Sequence, residues 1–191
     1  MSSILEWLTG GDLRSDGAAN EVVQAVLNDH QLITEILHGL EDPRDVVRGR
    51  SADVLEKIGR ELPSLINPQL EKIVQILSAD PVPMVRWHLA MLLGHLAATH
   101  DKHSVIYNSL VDRLGDESVF TVSWTIVSLC IMARLNPAYA DSVTSEVQSL
   151  ARHPSKAVQT RVRNALPLLL DPERPFPSGW VKSKQLGFLS G

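Results

Sequence analysis

The feature that most limits what this chain can fold into is a period of about 37 residues. Four segments share a turn followed by an apolar run: Asp42-Pro43-Arg44-Asp45-Val46-Val47-Arg48, Asp80-Pro81-Val82-Pro83-Met84-Val85-Arg86, Asp116-Glu117-Ser118-Val119-Phe120-Thr121-Val122 and His153-Pro154-Ser155-Lys156-Ala157-Val158-Gln159. Aligning Val47, Val85, Val122 and Val158 gives spacings of 38, 37 and 36 residues. Offsets +4, +7, +8 and +11 continue the register. They read Ser51, Val54, Leu55, Ile58; Leu89, Leu92, Leu93, Leu96; Ile126, Leu129, Cys130, Ala133; and Val162, Ala165, Leu166, Leu169. With the valines, 19 of 20 positions are apolar, Ser51 being the exception. At about 100° per residue these offsets share one helix face, so each segment is an amphipathic helix with a single stripe to bury.

Shorter stripes lie between: Leu32, Ile33, Ile36, Leu37, Leu40; Leu70, Ile73, Val74, Leu77; Val105, Ile106, Leu110, Val111, Leu114; and Val143, Val147, Leu150. Two of these helices open with Asn-Pro, at 67–68 and 136–137, where Asn caps and Pro is pre-shaped for the first turn. Asp42, Asp80 and Asp116 are placed to cap the longer helices in the same way. No segment alternates like a strand. A unit that cannot bury its stripe alone must stack on its neighbours, so the expected fold is an all-α solenoid of four helical hairpins.

The combination of helix, Asp-Pro turn, Val-Arg and apolar helix resembles the HEAT-repeat family. Asp42-Pro43 with Val47-Arg48 and Asp80-Pro81 with Val85-Arg86 match its pattern best. The third repeat departs from it, with no Pro after Asp116 and Ser123 in place of Arg, and the fourth carries Gln159 there. The resemblance implies a right-handed superhelix over residues 1–170. Residues 1–29 would be a degenerate cap, with repeats at about 30–62, 63–100, 101–135 and 136–170. Residues 171–191, which include Asp171-Pro172-Glu173-Arg174-Pro175-Phe176-Pro177, form a Pro-rich tail. Within the fourth long helix, Pro167 predicts a kink or an end near Arg163–Leu166.

The resemblance also implies that the second helix of each pair lines a concave face. Helical geometry then aims offsets −1, +2, +6 and about +10 away from the core. The central repeats place Met84, Trp87, Met91, His95, Thr121, Trp124, Ser128 and Met132 there, rimmed by Arg50, Asp53, Lys57 and Arg161. Surfaces facing water are normally charged, whereas Ser118 to Ala133 carries no charge over 16 residues. An apolar patch with a charged rim marks a protein-binding groove, with Trp as hot spot and Met as adaptable contact. The same residues would equally be covered by the chain's own tail, by tight curvature or by a second copy.

Composition narrows the function. With 44% hydrophobic and 21% charged residues, the chain of 191 residues is a folded one. A net charge of −4 disfavours nucleic acid and anionic membranes as partners. The single Cys130 excludes a disulfide framework and fits a reducing compartment, read as the cytoplasm. The start, Met1 to Trp7, has neither the basic region nor the long apolar run of a secretory leader, and the 16-residue uncharged stretch is too short for a membrane span.

No phosphate-binding loop, dinucleotide motif or nucleophile elbow is present. His88 and His95 are seven residues apart, about 10 Å along a helix, too far for one metal ion. Cys130 lies on a core stripe and reads as a small hydrophobe. The chain also resembles the HEAT-like alkylpurine DNA glycosylases through Trp87, Trp124 and Arg161, but Met91 and Ser128 stand where that family's aspartate would follow. Asp53 is the one carboxylate projected onto the floor. The HEAT-like phycobilin lyases are similar in length and repeat style. The expected function is a non-catalytic scaffold holding a protein helix or extended peptide in its groove, with no cofactor, metal or catalytic residue.

Overall fold

The computed structural model describes residues 3–190. Met1 and Ser2, where the leader reading begins, and Gly191 at the end of the tail lie outside the described residues. Among the described residues there are nine α-helices and no strand. They are α1 (Ala19–Asn28), α2 (Ile33–Gly39), α3 (Asp45–Glu61), α4 (Leu70–Ala79), α5 (Pro83–Leu96), α6 (His103–Val111), α7 (Val119–Leu135), α8 (Ala140–Ser149) and α9 (Lys156–Leu170). Short 3-10 turns fill several joints.

The four long helices α3, α5, α7 and α9 form one layer, each packed on the next, and α2, α4, α6 and α8 pack behind them. This two-layer stack is an all-α solenoid. Helix α1 and a 3-10 turn at Ile4–Leu8 close its first end by packing on α3. None of the described helices is long and apolar enough to cross a membrane.

Stripe residues make the core. Eighteen of the twenty are buried, and the two that are half-buried, Leu166 and Leu169, lie on α9, which has no following inner helix. Ser51, the polar exception, is buried where α2 closes in at Gly39, leaving no space for a larger pair.

The helix starts differ from expectation by two residues. The carboxylates of Asp42, Asp80 and Asp116 accept the N–H of Arg44 (2.8 Å), Val82 (2.7 Å) and Ser118 (2.8 Å). Those donors are the N-cap residues of α3, α5 and α7, so each aspartate forms an Asx turn ahead of the cap rather than the cap itself. Asn136 caps a 3-10 turn through Ala138, whereas the Asn67 side chain donates to Thr99 instead.

The aspartates also bind the next-door arginine. Arg48 reaches Asp80 at 2.8 Å, half-buried, and Arg86 reaches Asp116 at 2.7 Å, with both side chains buried. Each guanidinium also donates to carbonyls of its own turn, Asp42 and Pro43 for Arg48, Asp80 and Pro81 for Arg86. This double use is the physical content of the Asp-Pro/Val-Arg pattern: one arginine ties its own turn and the next repeat together. In the fourth repeat Gln159 keeps the turn contact, donating to His153 O at 2.7 Å, but has no acid to grip.

Pro167 does not end its helix. Helix α9 continues to Leu170, and the N–H of Asp171 donates to the carbonyl of Pro167 at 3.1 Å. Arg134, at the end of α7, then gathers the carbonyls of Leu168, Asp171 and Arg174, which turns the chain back toward the inner layer.

Candidate functional site

An inner helix of this solenoid is covered on three sides, by two inner neighbours and one outer helix. The face left for solvent is therefore narrower than four offsets per repeat. Eight of the twelve residues expected on the groove and its rim are buried: Met84, Met91, His95, Thr121, Ser128, Met132, Arg50 and Asp53. That corrects their expected exposure, and the causes are local. The Ser128 hydroxyl donates to Ala90 O at 2.8 Å across the α5–α7 seam, where Gly94 makes room for it. Met84 packs on Gly49, with Leu13 of the N-terminal loop over both.

Arg50 is a structural anchor rather than a rim charge. Its guanidinium donates to the carbonyls of Leu8 (2.9 Å), Thr9 (3.1 Å), Gly10 (2.7 Å), Asp12 (3.2 Å) and Ser15 (3.3 Å). Gly17, at φ 54°, lies so close to this guanidinium that a Cβ would collide with it. The N-terminal loop thus folds over the first inner helix.

From the other end the tail does the same. Phe176 and Trp180 are buried, and the Ser183 hydroxyl donates to Arg60 O at 3.1 Å on α3. Lys184 pairs with Glu61 at 3.0 Å, and the Gln185 amide donates to Glu61 O. The segment therefore runs back across the inner layer from α9 to α3.

Trp87, Trp124 and Arg161 remain half-buried along this seam. The Arg161 guanidinium lies 4.7 Å from the Trp180 ring and 5.6 Å from the Trp124 ring, while the Lys182 ammonium is 4.7 Å from Trp124. Cations over indole faces are attracted by the ring quadrupole, so tail and groove are held by alternating rings and charges. Trp87 is engaged separately, 5.2 Å from the exposed Phe120.

Beneath the seam lies a buried polar cluster. Asp53 pairs with Lys57 at 2.8 Å, and Lys57 also reaches Asn20 and Asp16. Arg60 forks onto both oxygens of Glu56. From α5, His88 Nδ1 comes within 3.6 Å of Asp53 and His95 Nδ1 within 3.5 Å of Glu56, yet neither nitrogen makes a hydrogen bond. Burial pushes both imidazoles down to about 4, against a smaller opposing pull from Glu56, so both are neutral at pH 7. Burial likewise raises the Asp53 carboxyl, with Lys57 opposing. Cys130 is fully enclosed, and burial pushes its thiol up to about 12, which leaves it inert as a nucleophile.

Sequence reasoning left Glu56, Trp180 and Lys182 out of the site. For α3 a signal existed: Asp53/Lys57 and Glu56/Arg60 are two acid–base pairs at i, i+4 on a helix expected to be inner. For the tail no local signal distinguishes Trp180 from any other loop aromatic.

Two engineered proteins solved by the Northeast Structural Genomics Consortium share this architecture. One is 21% identical, with a TM-score of 0.61 over 86% of this chain and 78% of that one. The other is 18% identical, with a TM-score of 0.59 over 88% and 78%. The fold is a helical-repeat solenoid. A designed armadillo repeat protein also aligns, at 14% identity and a TM-score of 0.42 over 86% of this chain and 98% of its own. No protein-family model and no curated protein matches the sequence.

Proposed function

We propose that this chain is a non-catalytic helical-repeat scaffold that holds a partner protein as an extended aromatic–basic peptide along its inner helices. The observation that carries this reading is the tail. A segment of that chemistry, a turn closing at Trp180 that runs through residues 181–183 into a 3-10 helix at Lys184–Leu189, already occupies the face. It sets Trp180 on Arg161, Lys182 over Trp124 and Ser183 on the carbonyl of Arg60. A face that accepts one such segment in cis is built to accept another in trans, and the tail then competes with the partner. A second copy's tail is the simplest such segment, which makes self-association the concentrated-solution form of the same contact. The reading places the protein in the cytoplasm, where a lone buried Cys130 is at home. The glycosylase resemblance loses its support because Asp53 is buried against Lys57 instead of lying open to a base.

The test uses a fluorescein-labelled peptide of residues 174–190. Fluorescence anisotropy is expected to show saturable, micromolar binding to the full chain carrying Trp180→Ala, whose own tail is loosened. Wild type should bind the peptide more weakly because its tail competes. Adding Trp124→Ala should weaken binding by about 2 kcal/mol or more, some thirtyfold. A folded Trp180→Ala chain that shows no saturation at ~0.5 mM peptide overturns the proposal.

A further inference from the structure

The buried cluster under the tail has a property that an ion-pair network does not require. Two imidazole nitrogens point at two carboxylates from 3.5 and 3.6 Å and bond to neither. Those separations exceed a hydrogen bond of about 2.7–3.2 Å. The His88–Asp53 separation of 3.6 Å is close to the roughly 3.4 Å edge of a tetrahedron whose centre lies 2.0–2.1 Å from each corner, the bond length of zinc to nitrogen or oxygen. One ligand atom each from Asp53, Glu56 and His88 falls within 4.8 Å of the others.

We propose that Asp53, Glu56 and His88 form a binding site for a divalent first-row transition-metal ion, held between α3 and α5. Asp53 and Glu56 are one turn apart on α3, and His88 meets them from the neighbouring helix, which removes the distance objection that applies to His88 and His95 along one helix. Two oxygens and one imidazole nitrogen suit Zn2+, Mn2+ or Fe2+, and the lack of sulfur disfavours Cu(I). Three protein ligands leave coordination positions for water.

The remaining groups hold these ligands in place. Lys57 binds Asp53 Oδ2 and leaves Oδ1 toward His88. Arg60 takes one lone pair on each Glu56 oxygen, and a carboxylate has about four. His95, its side chain only 3% exposed, stands 3.5 Å from Glu56 Oε1. Lys57, Arg60 and the Lys182 of the tail bring positive charge near the ion, so the expected affinity is modest, on the order of 10 μM.

Isothermal titration of the chelator-stripped full chain with Zn2+ tests this, with Co2+ absorption as a second readout. The expected result is one saturable ion per chain and a raised melting temperature. His88→Gln and Asp53→Asn should each weaken binding at least tenfold, whereas His100→Gln, outside the cluster, leaves it unchanged. Circular dichroism shows which variants are folded. Absence of saturable binding up to 1 mM Zn2+, or binding that survives both cluster substitutions, overturns the proposal. Peptide binding to the seam is measured separately, so either reading can fail alone.

Discussion

Acid should loosen this protein well before its carboxylates titrate. His88 and His95 have folded pKa values near 4 against an ordinary 6.5. Between those values the unfolded chain binds protons that the folded chain refuses, so stability falls as pH falls through the window. From pH 7 to pH 5 the difference is about 1.5–2 kcal/mol for each imidazole, or about 3–4 kcal/mol for both. For a chain of this size that lowers the melting temperature by on the order of 10 °C. The groups facing these imidazoles are Asp53, Glu56, Lys57 and Arg60 of α3 and Lys182 of the tail. The raised pKa of Asp53 acts in the opposite sense, but a comparison in which Asp53 is kept cancels it. Urea unfolding at pH 7, 6 and 5, with chelator present, should show a steep loss for wild type and a much flatter one for His88→Gln/His95→Gln. Equal losses in the two proteins would refute the assignment of the acid sensitivity to buried neutral imidazoles.

Two further outcomes follow from close contacts. A Cβ at Gly94 would lie 2.6 Å from Ser128 Oγ and 2.9 Å from Ser128 Cα, so Gly94→Ala must separate α5 from α7. It should destabilise by about 1–3 kcal/mol despite better helix propensity, while Gly115→Ala, which meets nothing, should leave the melting temperature nearly unchanged. Arg50→Gln removes the donor shared by five loop carbonyls and should cost about 3 kcal/mol. Limited proteolysis should then cut within residues 9–17, which wild type protects.

The core was legible because its signal is local. A stripe at +0, +4, +7, +8 and +11 repeats whatever the chain does elsewhere, and the structure buries it in all four long helices except at Leu166 and Leu169 of α9. The Asp-Pro turns were legible as helix starts, but their second role was not. That Asp80 grips Arg48, and Asp116 grips Arg86, depends on the stacking of one repeat on the next. The groove residues failed for the same reason in larger form. Arg50 is covered by a loop some 40 residues upstream and Trp124 by Lys182 of the distant tail, and no window of sequence encodes either contact.

One signal did point the right way and has a simpler meaning than a groove. A helix apolar on every side, as from Ser118 to Ala133, is a buried helix before it is a binding surface. Helix α7 meets that description: it lies between α5 and α9 with α6 and α8 behind it, and twelve of its seventeen residues are buried. Its neighbour α5 is nearly as enclosed. Trp87 and Trp124 stay half-buried, Trp87 against the ring of Phe120 and Trp124 against the cations of Arg161 and Lys182. Such contacts are worth about 0.5–2 kcal/mol each, less than burying a core leucine. The tail is thus held partly by such contacts and partly by its own buried Phe176, Trp180, Leu186 and Leu189, over tightly packed helices. The proposed exchange of the tail for a partner segment therefore rests on the cation–ring contacts at the seam rather than on exposed apolar area.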